Sequence, residues 1–140
     1  MFEECLYFNS NALARTVTRI WTEAYKPFGL SPPHAFLIKV VLAKPGILPR
    51  ELAEQLNLSR STVTRFLDSL EKKGFITRKA TVNDGREIQI FPTLQAKKIE
   101  QKLAKTRDLL TKEMQETIGD DVMANAVTNF REIRETIEKK

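Results

Sequence analysis

A single cysteine in a chain of 140 residues excludes an intramolecular disulfide framework. A single histidine, His34, has no Cys, Asp or Glu around it at metal-ligand spacing, so no metal, cofactor or enzymatic constellation is expected. No apolar run is long enough to cross a bilayer. The N-terminus also lacks the basic and apolar regions of a signal peptide, which makes the cytoplasm the expected compartment. There is no internal repeat, low-complexity tract or long linker. What remains is an ordinary globular composition, 29% charged and 41% hydrophobic, with a net charge of +5 that suits a polyanionic partner.

The charge has a place. Residues 59–91 carry seven cations (Arg60, Arg65, Lys72, Lys73, Arg78, Lys79 and Arg86) against four acids, which accounts for +3 of the total. Within this stretch Val63, Phe66, Leu67 and Leu70 fall at i, i+3, i+4 and i+7, the spacing of a helix with one buried stripe. Its opposite face offers Ser59, Arg60, Ser61, Thr62, Thr64 and Arg65, with no acid before Asp68. These side-chain types bond phosphate oxygens and base edges. Lys72, Lys73 and Gly74 close the helix, and the two lysines suit its C-terminal end. Two alternating segments, 75–81 and 87–91, then predict a hairpin with Phe75, Ile76, Ile88, Ile90 and Phe91 buried, Asn83, Asp84 and Gly85 turning it, and Arg86 beside the tip. Arg78, Lys79 and Arg86 make the hairpin cationic.

Upstream, residues 48–58 predict a short helix with Pro49 near its start and Leu52, Ala53 and Leu56 facing inward. A short helix, a tight turn, a polar-faced second helix and a basic hairpin together form a winged helix-turn-helix.

The run ELAEQLNLSRSTVTRFLDSLEKKGFITRK, followed by NDGRE with its D-x-R at Asp84 and Arg86, closely resembles the MarR family of winged-helix regulators. Beyond the wing the chain departs from the family's Leu-Thr-x-x-Gly helix start, having FPTLQAKK with Thr93 at the N-cap position. The resemblance implies a mainly α fold with a small β-hairpin wing: a winged helix-turn-helix core at 31–93 flanked by dimerisation helices at 1–30 and 94–140, all one domain. It also implies a homodimeric repressor that binds double-stranded DNA at a pseudo-palindromic operator. The contacts would come from Ser59, Arg60, Ser61, Thr62, Thr64, Arg65, Arg78, Lys79 and Arg86, with Asp84 positioning the wing.

The flanks fit that architecture. Leu6, Leu13, Val17, Ile20, Trp21, Ala24 and Phe28 have helical spacing up to Gly29. Ser31, Pro32 and Pro33 are a helix start, and the apolar AFLIKVVLA after them predicts a buried helix ending at Lys44, Pro45 and Gly46. Past Thr93, Ile99, Leu103, Leu110 and Met114 stripe one helix up to Gly119, and Met123, Val127, Phe130, Ile133 and Ile137 stripe another. The small winged core uses only part of these apolar stripes, so the rest call for an intramolecular bundle or a second subunit.

Many members of the family bind small aromatic anions, and the resemblance suggests Trp21, Tyr25, Phe28, His34 and Phe36 as the lining of an effector pocket; core packing explains most of them equally well. One branch senses organic peroxides through a cysteine near the start of its first helix. Aligned on Arg15 and Ser31, Cys5 lies about two residues before that position, roughly 200° around the helix, and Tyr7 occupies it. Glu3 and Glu4 beside Cys5 also disfavour a thiolate. The alternatives to a DNA-binding repressor are therefore a winged-helix protein-interaction module and a cysteine-based redox sensor.

Overall fold

The computed structural model describes residues 1–82 and 85–140. The elements run α1 (Leu6–Tyr25), a 3-10 turn (Lys26–Phe28), α2 (Pro32–Ala43), α3 (Pro49–Leu56), α4 (Arg60–Lys72), β1 (Ile76–Ala80), β2 (Ile88–Pro92), α5 (Leu94–Ile118) and α6 (Asp120–Glu138). They fall into two compact units, Met1–Ala104 and Lys105–Lys140, divided within α5. Mainly helical, with one antiparallel hairpin, the architecture is the one the sequence predicts.

In the first unit, local chemistry sets most boundaries. The Cys5 sulfur accepts the Phe8 N–H at 3.5 Å and so caps α1. The helix does not stay α-helical to Phe28 as its spacing predicts. Pro27 has no N–H to give the carbonyl four residues back, and the chain tightens into a 3-10 turn that Gly29 ends at φ 67°. Ser31 caps α2 by accepting the His34 N–H at 3.3 Å. Ala35, Leu37, Ile38 and Val41 are buried, but Phe36 keeps 40% of its surface, so α2 has an outer face that the apolar run did not suggest. Asn57, left-handed at φ 55°, turns α3 into α4. The Ser59 hydroxyl accepts the Thr62 N–H at 3.1 Å to start the second helix.

The buried stripe of α4 is Val63, Leu67 and Leu70, packed in one core with Ile38, Val41, Ile47, Leu52, Ile76 and Ile90. Gly74, at φ 86°, reverses the chain into the wing; a Cβ there would also lie 2.7 Å from the Gln95 side chain. The strands pair Ile76 with Pro92, Arg78 with Ile90 and Ala80 with Ile88. Ile47 adds a bridge to Ile90, with Gly46 N–H donating to the Ile90 carbonyl and Ile90 N–H to the Ile47 carbonyl. Ile88, expected inside, is 41% exposed, because it lies at the outer end of the ladder, past the edge of the core. Thr93 caps α5 as its position predicts: its hydroxyl accepts the Ala96 N–H and donates to the Gly74 carbonyl at 2.6 Å.

The second unit holds the distal part of α5 and all of α6. Gly119, at φ 91°, separates the helices, and Asp120 and Asp121 open α6 where acids favour a helix N-terminus. No side chain of α6 is fully buried.

Candidate nucleic-acid interface

The polar face of α4 is laid out by the cap that starts the helix. Ser59 Oγ lies 2.8 Å from Thr62 Oγ1 and 3.1 Å from Ser61 Oγ, and Arg65 Nη2 donates to Thr62 Oγ1 at 3.4 Å. Thr64 turns back to donate to the Arg60 carbonyl, an i−4 bond that leaves its oxygen able to accept. The guanidiniums of Arg60 and Arg65 are exposed.

Beside this face, a cleft of about 280 Å³ opens between the starts of α3 and α4 and the stem of the wing. Arg50, Arg60, Arg78 and Arg86 line it, with Thr64 on one wall and Leu67 and Ile88 among its apolar parts. Among the described residues Glu87 is the one acid that lines it, and it is held by Arg50 at 2.5 Å. With Asp68 and Glu71, which hold Arg78, counted beside Glu87, the described residues set four guanidiniums against three carboxylates, a modest positive bias suited to phosphate oxygens.

The cations of the hairpin divide in role. Arg78 does not reach outward. It bridges Asp68 at 2.9 Å and Glu71 at 2.8 Å, tying β1 to α4, and its side chain is only 26% exposed. The same contacts raise its pKa, through Glu71 first, and lower that of Glu71. Lys79 sits 5.1 Å from the centre of the Phe91 ring, a cation–π contact across the hairpin. Arg86 is exposed at the mouth of the cleft. Asp84, expected to position the wing, lies outside the described residues. At the other end of α4, Lys73 donates to the Gly29 carbonyl at 3.1 Å, so it serves the helix end and its neighbour.

The MarR family model matches residues 30–88, which span this whole interface. Among curated relatives, the helix-turn-helix regulator YybA of Bacillus subtilis is 28% identical over 87 residues, covering 62% of this chain and 58% of that one. The regulator SarZ of Staphylococcus saprophyticus is 26% identical over 102 residues, covering 73% and 70%. The chain thus spans little more than half the length of YybA. The MepR–DNA complex of S. aureus superposes with a TM-score of 0.85 at 15% identity, covering 96% of this chain and 99% of that one, a likeness of fold.

Residues 30–88 are a MarR-family winged-helix segment.

Members of this family are transcriptional regulators and not enzymes. Among the described residues there is no group of three His, Cys, Asp or Glu side chains able to hold a metal. No helix is long and apolar enough to cross a membrane, again among the described residues.

Of the residues suggested for an effector pocket, Tyr25, Phe28 and Phe36 bring their rings together. Tyr25 is fully buried, with the rings of Phe28 and Phe36 each 6.2 Å away, the latter edge-on, and Trp21 is half-buried one turn earlier on α1. His34 has its ring 4.5 Å from that of Phe66 on α4. Burial first, and the charge of Lys73 second, hold its pKa below 6.5. Its Nδ1 is buried without a hydrogen-bond partner. Cys5 is exposed, its sulfur engaged in the α1 cap, and Tyr7 is 78% exposed.

Sequence reasoning passed over Arg50. Its place in the cleft depends on a partner 37 residues away. A basic residue early in the first helix of a helix-turn-helix was the available signal.

Proposed function

We propose that the protein is a homodimeric, sequence-specific DNA-binding regulator, acting as a repressor on a pseudo-palindromic operator. The observation that carries this reading is the arginine-lined cleft where the first turns of α4 meet the wing. Helix α4 would lie in the major groove, with Arg60, Ser61, Thr64 and Arg65 toward phosphates and base edges. Arg86 would reach the adjacent minor groove. Ser59 and Thr62 hold the helix start and add backbone contact at most. Arg78 fixes the wing to α4, and the ammonium of Lys79 stays over Phe91.

Support for the dimer comes from apolar side chains left uncovered: Leu6, Tyr7, Phe8 and Leu13 on α1, and Val127, Phe130 and Ile137 on α6. A two-fold pair would place its recognition helices about 34–36 Å apart, one turn of DNA. The rings of Tyr25, Phe28 and Phe36 support a small aromatic effector. A titration of aromatic carboxylates against the fluorescence of Trp21, the only tryptophan, tests that part.

Selection of bound sequences from a random duplex pool tests the main reading. A two-fold symmetric site should be enriched, and the affinity for it should fall steeply with salt. Failure to enrich any site would leave a winged-helix protein-interaction module as the better account.

A further inference from the structure

The wing is fastened to the helical core in steps. At its base, Ile90 exchanges two backbone hydrogen bonds with the 46–47 segment, and Gln89 Nε2 donates to the Gly46 carbonyl at 3.4 Å. Three residues further out, the Arg50 guanidinium holds the Glu87 carboxylate. The Glu87 carbonyl in turn accepts the Thr81 N–H at 3.0 Å and so closes the outer end of the hairpin stem. Arg86 is the next residue toward the tip. Glu87 would otherwise be a poor choice, since an unpaired carboxylate beside three other guanidiniums would oppose any polyanion entering the cleft.

We infer that Arg50 is a positioning residue of the wing: it acts through Glu87 to fix the stem on α3 and thereby set where Arg86 meets the DNA. This rests on the DNA-binding reading above. The partners are 60% and 40% exposed, so the pair contributes modestly to stability and its value lies in geometry.

Simple electrostatics and positioning make opposite forecasts for Glu87→Ala. Deleting an acid from a DNA-facing cleft should tighten binding if charge alone matters. If Glu87 anchors the stem, the deletion should weaken binding. The experiment compares wild type, Arg50→Ala, Glu87→Ala and the exchanged pair Arg50→Glu with Glu87→Arg, using the duplex recovered by selection over a salt series. Each single variant should bind about two- to fivefold more weakly, with the slope of affinity against salt unchanged, and the exchanged pair should regain most of the loss. Exchange of the Thr81 amide hydrogen, followed without DNA, should quicken by a similar factor in both single variants. Tighter or unchanged binding by Glu87→Ala would overturn the inference. So would a salt slope lowered by about one in Arg50→Ala, the mark of a direct phosphate contact. Should no duplex be bound by the wild type, the amide exchange still decides whether the pair holds the stem, and the DNA-binding reading fails by itself.

Discussion

In the winged region Ile38, Val41, Ile47, Leu52, Val63, Leu70, Ile76 and Ile90 each keep no more than 1% of their surface, while on α6 Val122, Val127, Phe130, Ile133 and Ile137 keep between 40% and 60%. Helix α1 is like α6 in this respect, with Leu6, Tyr7, Phe8 and Leu13 left 44% to 78% exposed. Both regions have apolar residues at helical spacing, so pattern does not distinguish them. Coverage does. The winged region buries its stripes against its own strands and short helices, and its stability should be a property of one chain. The terminal helices leave large apolar side chains in water, and what they contribute should depend on protein concentration.

Charging the α6 stripe should break that comparison most severely. Val127→Glu combined with Phe130→Glu is expected to give a monomer in sedimentation equilibrium, with the winged region still folded by circular dichroism. A monomer engages only one half-site at a time, so operator affinity should fall by about 10²- to 10⁴-fold. A double variant that remained a dimer would show that the uncovered stripe is not the interface. The converse change goes to the covered core: Leu70→Ala should cost about 2–5 kcal/mol in denaturant unfolding, since the chain cannot fully collapse onto the space left. That loss should be the same at every protein concentration at which the dimer is intact.

Arg86→Ala sharpens the functional side of the contrast. It is expected to weaken operator binding by about 1–3 kcal/mol if the side chain bonds base edges, and to leave dimerisation and unfolding unchanged. An equal loss on all sequences, with a shallower salt slope, would assign it to phosphate alone.

How far the sequence was legible follows the range of the interactions concerned. Ser31 and Thr93 cap their helices through bonds to residues three positions on, and Gly29, Gly74 and Gly119 take positive φ at helix ends; all of this is local and could be read, whereas Ser59, expected among the DNA contacts, turns out to cap α4 in the same way. Arg78 could be named as a cation but not as a captive of Asp68 and Glu71, because that depends on how β1 returns along α4. Arg50 and Glu87 are hidden for the same reason at greater distance. Ile88 has the right alternation for burial, and only the length of the ladder relative to the core puts it outside. His34 and Phe36 are two residues apart on α2, and which ring each one meets, Phe66 on α4 for the first and Tyr25 on α1 for the second, depends on how the helices pack.

His34 also gives the smallest predicted effect, and the most selective. In the folded chain its imidazole resists protonation because burial strips water from the charged form and Lys73 repels it. The unfolded chain has neither restraint and binds a proton near pH 6.5. Stability should therefore be level above pH 6.5, fall as pH drops from 6.5 toward the lower folded pKa, and level off again below it. The lowered pKa values of Glu51 and Glu71 act further down, because an exposed carboxylate held by Lys44 or by Arg78 loses its stabilising charge only below its usual value of 4.5. Between about pH 5 and 6.5 the slope is thus due to the only histidine in the chain. Denaturant unfolding across that window should show the slope in the wild type and lose it in His34→Gln. A slope that persisted in the variant would mean that a group other than this imidazole takes up the proton. The winged region would then owe its acid sensitivity to the carboxylates at its surface.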